Sequence, residues 1–319
     1  MAVATKSRRI PLGPWGITVR MRAEHAEAVR NSLPYRTVVR PALTRLEQFS
    51  ARIAGQYANG PHQEIDPEVL PAGAMDTPEV RAMWRRVAAV KWYHSIDLGH
   101  GLVTPGNFDH RLLLDRYHFP ARLDGRRALD VACFDGFWAF EMERRGAREV
   151  VALDIERWSD LDLPPIVKDA MVRAGGDGLT GAGFAVAHDL LQSKVRRQIL
   201  SVYELTPERV GGTFDFTFCG DLLLHLMNPP KALQGIRAVT SGEALLVDVF
   251  DPQLDAIADY PVMRYFGGWQ ICHWWKPSLR CLVQMVKDAG FKHVDVLDKF
   301  QLAESGGDLL WRAVIRARP

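Results

Sequence analysis

The stretch that most limits the fold is Arg127-Ala128-Leu129-Asp130-Val131-Ala132-Cys133-Phe134-Asp135-Gly136-Phe137-Trp138, a short apolar run, a tight loop and the start of a helix. Soon after it, Val150-Val151-Ala152-Leu153 ends in the carboxylate of Asp154. A strand turning straight into a helix opens a βαβ unit, whose parallel strands are covered on both faces. In such sheets ligands bind beyond the carboxyl ends of the strands, facing loop backbone and a helix N-terminus. The loop after Val131 can therefore approach a ligand closely, and Asp154 can accept hydrogen bonds from both hydroxyls of a ribose.

From residue 128 onward strand and helix patterns alternate. Strands are expected near 128–133, 149–154, 184–188, 213–219, 243–250, 292–298 and 309–317. Helices are expected near 135–145, 161–174, 190–200, 229–240 and 278–289. Asp135 is placed to cap the first of these helices and Gly146 to end it; Ser278 and Gly290 bracket the last. Alternation of this kind predicts an α/β fold, a mostly parallel Rossmann-like sheet of seven strands with helices on both faces. The last two strands are joined by Glu304-Ser305-Gly306-Gly307-Asp308, too short for a parallel crossover, so one strand runs antiparallel.

Residues 1–90 read as a mainly helical extension: an irregular arm over 1–20, short helices near 21–32 and 41–57, and a Pro/Gly-rich connection over 58–77. Thr77-Pro78 then starts a helix whose Val80, Met83, Trp84 and Val87 share one face. The domain itself is expected over 91–319. The extension suits oligomerisation, a cofactor lid or acceptor binding.

Hydrophobic residues are 47% and charged residues 24% of the 319, with a formal charge of +2, ordinary for a soluble globular chain. Within residues 1–50, however, nine Lys/Arg stand against three Asp/Glu. Cys133, Cys219, Cys272 and Cys281 form no C-x-x-C pair, so neither a disulfide framework nor a metal site is expected. No apolar run reaches membrane-spanning length and no secretory signal is evident, which makes a cytoplasmic location the expectation.

The loop and the acid after the second strand resemble the first two signature motifs of the class I S-adenosylmethionine-dependent methyltransferases, with Ala132, Phe134 and Gly136 at the three glycine positions. Phe134-Asp135-Gly136-Phe137-Trp138, together with Trp92-Tyr93-His94-Ser95-Ile96 and Thr104-Pro105-Gly106, is similar to the wobble-uridine tRNA methyltransferase-like subfamily. That resemblance covers about residues 90 to 319. It implies S-adenosylmethionine as cofactor, with S-adenosylhomocysteine as product. Asp130 would orient the methionine end, and Asp154 with Ile155 would hold the ribose. Ala132, Cys133, Phe134 and Gly136 would contact the cofactor mainly by backbone. Tyr203 and Glu204 occupy the place of adenine-contacting residues. Cys219, Gly220 and Asp221 occupy the loop over the cofactor, and His225 would follow Asp221 by one helical turn.

The candidate bases are His225, His94 and Tyr93. Trp92, with Tyr93 and His94, either folds over the sulfonium or docks the extension. Residues 251–277 are too long for a plain connection and carry Tyr260, Arg264, Tyr265, Trp269, His273, Trp274 and Trp275. An aromatic-walled acceptor pocket is the functional reading of that insertion, and a loop-pinning cluster is the other. The leading expectation is methylation of a small aromatic or amine-bearing molecule, for example an indole. A tRNA wobble-uridine methyltransferase and a non-catalytic cofactor-binding protein are the alternatives. A carboxylated cofactor would need a cation that the sequence alone does not place, so the ordinary cofactor is favoured.

Overall fold

A computed structural model describes residues 7–11, 18–22, 65–173, 178–270, 273–303 and 309–319. The chain divides into two compact units, Met1–Gly60 with Pro164–Gly178, and Pro61–Leu163 with Leu179–Pro319. In the first, Ser7–Pro11 pairs antiparallel with Thr18–Arg22, and Pro165–Arg173 is helical. A hairpin thus stands where an irregular arm was expected. It also takes the first two residues of the helix expected over 21–32. The rest of that helix, the one expected over 41–57 and the loop Glu304–Asp308 lie outside the described residues.

The second unit is built on seven strands: β1 Arg127–Val131, β2 Glu149–Asp154, β3 Arg196–Ile199, β4 Phe214–Gly220, β5 Thr240–Phe250, β6 His293–Ala303 and β7 Leu309–Arg318. Across the sheet they run β6-β7-β5-β4-β1-β2-β3. All neighbours are parallel except β7, which is antiparallel to both β5 and β6. The seven-stranded sheet with one reversed strand is as expected. The strand order reverses at β1, between β2 and β4, and that opens a crevice at their carboxyl ends.

Five helices matter for the site: α1 Pro78–Ala88, α2 Phe137–Arg144, α3 Ala182–Leu190, α4 Pro229–Val239 and α5 Leu279–Asp288. Strand alternation divides their work. Ala128 joins Phe137, Trp138 and Phe140 of α2, Phe184 of α3 and Trp84 of α1 in one buried cluster. Leu129 and Val131 face the other way, onto Leu233 and Ile236 of α4 and Leu282 and Val286 of α5. Helix α1 therefore shares its core with the sheet. Among the described residues no helix is long and apolar enough to cross a membrane.

One pair of elements differs from expectation. The apolar run over 184–188 was expected as a strand and 190–200 as a helix; the structure makes α3 first and β3 second. Gly181 enters α3 at φ 77°, and Phe184 and Ala187, three apart, supply its buried side. Strand β3 reads Arg-Arg-Gln-Ile and lies at the sheet edge, with none of its residues buried. An edge strand needs no apolar pattern, so the apolar run beside it attracts the wrong assignment.

The insertion over 251–277 holds a short helix, Pro252–Ile257, and an antiparallel hairpin, Met263–Gln270 with His273–Pro277.

Candidate functional site

Ala132, Phe134 and Gly136 have φ of 63°, 50° and 89°. The loop between β1 and α2 thus takes the left-handed conformation that glycine adopts freely, at two positions that carry side chains. Each such residue stores about 1–2 kcal/mol. Gly136 has a second constraint: a Cβ there would lie 2.6 Å from the Phe184 ring and 2.8 Å from that of Phe140. Its missing side chain makes room for aromatic packing rather than for a ligand.

Three carboxylates gather at the loop. Asp154 Oδ2 accepts from the Phe134 amide at 2.6 Å, and Oδ1 from Ile155 at 2.7 Å. Asp130 Oδ2 accepts from the Ala139 amide at 3.1 Å, whereas its Oδ1 is buried without a partner. Burial, with Asp154 nearby, pushes the Asp130 carboxyl up to about 8. Asp135 does not cap α2; the capping position is Gly136, with no side-chain bond. Its Oδ2 accepts instead from the Tyr93 amide at 2.6 Å and the His94 amide at 3.0 Å.

Those two amides belong to a strap, residues 93–96. Phe108 N–H donates to Tyr93 O and Ser95 N–H to Phe108 O, both at 2.9 Å. The Thr104 hydroxyl donates to His94 O at 2.6 Å and accepts from Ile96 N–H at 2.7 Å. The strap lays Tyr93 against Phe134 and Phe108, each with ring centroids 4.8 Å apart, and Trp158 meets Phe134 at 5.6 Å. Trp92 is buried, with Nε1–H bonded to Val87 O of α1 at 2.8 Å. Burial, reinforced by His110, drives the His94 imidazole well below its usual range, so it is neutral and a weak base.

At the tip of β4, Cys219 is buried and Asp221, at φ 49°, binds the Arg312 Nε–H of β7 with both carboxylate oxygens, at 2.8 and 2.9 Å. Arg312 is a buried cation that sequence reasoning missed, because 91 residues separate it from its partner. His110 and Tyr117 were missed as well. Tyr117 OH lies 3.1 Å from His110 Nδ1, and the His110 ring lies 5.4 Å from that of His94. Asp248 of β5 accepts from the Leu222 and Leu223 amides and so pins the turn after Asp221.

Other expected residues go elsewhere. The Tyr203 hydroxyl donates to Asp162 Oδ2 at 2.5 Å and accepts from Asn228 N–H at 2.9 Å. Glu204 is exposed beside Arg209. His225 sits in a 3-10 turn, Leu223–His225, with its ring 5.2 Å from that of His273 in the hairpin. Trp274 is buried and donates to Asp162 O at 2.5 Å; Trp275 donates to Met227 O at 3.1 Å. Arg264 pairs with Asp251 at 3.2 Å, and Tyr260 and Tyr265 are exposed. Trp269 lies on the first hairpin strand, Met263–Gln270. The structure thus gathers Tyr93, His94, Asp130, Ala132, Cys133, Phe134, Asp154 and Ile155 at the strand tips, and collects His225, His273 and Trp274 around the hairpin.

A family model described as "Methyltransferase domain" matches residues 107–296. The chain belongs to that methyltransferase-domain family. A tRNA U34 carboxymethyltransferase of Campylobacter hominis is 27% identical over 177 residues, covering 55% of this chain and 53% of that protein. The chain thus spans about half the length of this curated relative. Among solved structures, the N-terminal domain of EvdMO1 with SAH and D-fucose is 18% identical, covering 78% of this chain and 99% of that one, with a TM-score of 0.49. The magnesium protoporphyrin IX methyltransferase of Synechocystis PCC 6803 with bound SAH is 13% identical, covering 65% and 80%, with a TM-score of 0.41.

The residues at the strand tips fit S-adenosylmethionine, the cofactor that the sequence resemblance implies. Asp130 holds a buried carboxylate oxygen with no partner, suited to an ammonium. Each Asp154 oxygen holds one backbone N–H and keeps lone-pair capacity for a hydroxyl donor.

Proposed function

We propose that this enzyme methylates a flat aromatic or amine-bearing small molecule at the tips of β1, β2 and β4. The observation that carries this reading is the ring cluster of Phe134, Tyr93, Phe108 and Trp158 beside Asp130 and Asp154. Aromatic faces suit both a planar acceptor and a cation. S-adenosylmethionine supplies a methyl group already activated on a sulfonium. The chain's own work is to hold and to exclude water. Asp154 would hold the ribose hydroxyls and Asp130 the methionine ammonium, while Tyr93, Phe108 and Phe134 form an apolar wall. Burial holds the His94 imidazole well below its usual range and makes it a poor base, so an acceptor that needs no base, such as a neutral amine, suits the site best.

The similarity to the Campylobacter protein favours a second reading, in which the flat ring is a tRNA base unstacked from its neighbours.

Calorimetry with S-adenosylhomocysteine tests the shared part. Binding is expected, with a loss of about 100-fold or more in Asp154→Ala, since bonds to a charged group are each worth about 1.5–3 kcal/mol. Absent heat, or an unaffected variant, would overturn it. Label transfer from the methyl donor to phenols, indoles and amines, run beside bulk tRNA, separates the two acceptors. Labelling of tRNA that falls steeply between 50 and 200 mM salt would decide for the second.

A further inference from the structure

Asp135 touches neither the loop amides nor any group already assigned to the cofactor, yet it is buried at the centre of the site. We propose that Asp135 is a positioning residue: its carboxylate holds one edge of the strap over 93–96, with Thr104 and Phe108 holding the other, and so makes Tyr93 and His94 a fixed wall. The inference rests on the methyl-donor reading above for its consequence, but not for the clamp itself.

Three independent features point the same way. First, the strap is satisfied on both edges. Tyr93 and His94 give their N–H groups to one Asp135 oxygen, 42 and 41 residues away. The carbonyls of Tyr93, His94 and Ile96 and the amides of Ser95 and Ile96 are all bonded to Phe108 or Thr104. A segment that swings as a lid is expected to keep its backbone bonds with water; here each of these groups has a protein partner.

Second, two glycines make the space. A Cβ on Gly183, at the start of α3, would lie 2.5 Å from Asp135 Oδ1. A Cβ on Gly106 would lie 2.0 Å from the His94 carbonyl carbon and 2.4 Å from Ser95 N. Both faces of the clamp are therefore closed by backbone that cannot carry a side chain.

Third, Asp135 belongs to the loop that carries Phe134, and Phe134 is the ring on which Tyr93 rests. One residue thus fixes the distance between the strap and the loop. Burial is the main cause of the rise of its carboxyl to about 7, and the two strap amides it accepts from act against that rise.

If Tyr93 is held as a wall beside a sulfonium, the clamp favours a cation at that point. The test uses two probes: S-adenosylhomocysteine, which is neutral there, and sinefungin, which carries an ammonium in its place. In Asp135→Ala, sinefungin affinity is expected to fall about 5- to 10-fold, while S-adenosylhomocysteine affinity stays within about twofold. Amide hydrogen exchange at Tyr93 and His94 in the ligand-free protein should accelerate at least tenfold. Asp135→Asn, which keeps an acceptor oxygen, should restore both. Thr104→Val, isosteric and lacking the hydroxyl, should give a smaller change of the same sign, and with Asp135→Asn decides the matter should Asp135→Ala not fold. Unchanged exchange at Tyr93 and His94 would overturn the clamp. Equal losses for both probes would overturn the positioning role and make Asp135 part of general cofactor binding. Failure of the wild-type protein to bind either probe would instead sink the methyl-donor reading, leaving the exchange result to stand on its own.

Discussion

Two parts of the molecule are rich in aromatic rings and behave differently. At the strand tips, Tyr93, Phe108, Phe134 and His94 sit on backbone closed by Asp135 and Thr104. In the hairpin over 263–277, only Trp274 is buried among the tryptophans and tyrosines described there; Tyr265 is 60% exposed and packs on Trp275 at 4.7 Å. Similar composition thus makes a rigid wall in one place and an anchored, half-open surface in the other. The difference lies in the backbone: the strap gives its backbone groups to Asp135, Thr104 and Phe108, whereas the hairpin backbone pairs mainly with itself and its Trp274 and Trp275 rings reach out, to Asp162 and Met227. A site that orients reactants belongs on the first kind of support.

Substitutions can break this comparison. Trp274→Ala should cost the most, about 3–5 kcal/mol in urea unfolding, because it empties a buried site and frees the Asp162 carbonyl. If S-adenosylhomocysteine affinity followed it down, the hairpin would be part of the cofactor site. Gly136→Ala should cost about 2–4 kcal/mol, since a Cβ meets two rings at a φ that side chains resist. Ala132→Gly, four residues earlier, should do the reverse and gain up to about 1 kcal/mol. Tyr265→Ala should change stability by less than about 0.5 kcal/mol.

The buried acids add a pH test of the wall. Asp130 is pushed up to about 8, and Asp135 and Asp248 to about 7, in each case chiefly by burial. The folded state then holds protons that the unfolded chain has released, so these groups lose stability as pH rises from about 4 through 7 to 8. His94, His110 (about 4) and His273 (about 3) act oppositely: their folded values are depressed by burial, so their contribution grows up to about 6.5 and is then complete. Above about pH 7 these carboxyls outweigh the three histidines among the described residues. The urea midpoint of the ligand-free protein should therefore fall between about pH 7 and 8, and Asp130→Asn should flatten the upper part of that fall.

Much of the fold was legible because it is written in local pattern. Strands β1, β2, β5 and β7 each carry an apolar run, β4 and β6 alternate apolar with polar residues, and the short link before β7 forces its reversal. Strand β3 was not legible, because an exposed edge strand of Arg-Arg-Gln-Ile carries no such run. At the site, Asp130 and Asp154 were readable from their place at strand ends. Asp135 was misread as a helix cap because its partners lie 41 and 42 residues away.

What the sequence alone determined is the sheet, its one reversed strand and the two acids at neighbouring strand tips, since period and turn chemistry act over a few residues. Only the tertiary structure decided that Arg312 meets Asp221, that Tyr203 is tied to Asp162, and that a strap from before the sheet closes over Phe134. Those pairings join residues far apart along the chain. Their partners are chosen by which buried polar groups the packed fold brings within hydrogen-bond reach, and no local pattern records that choice.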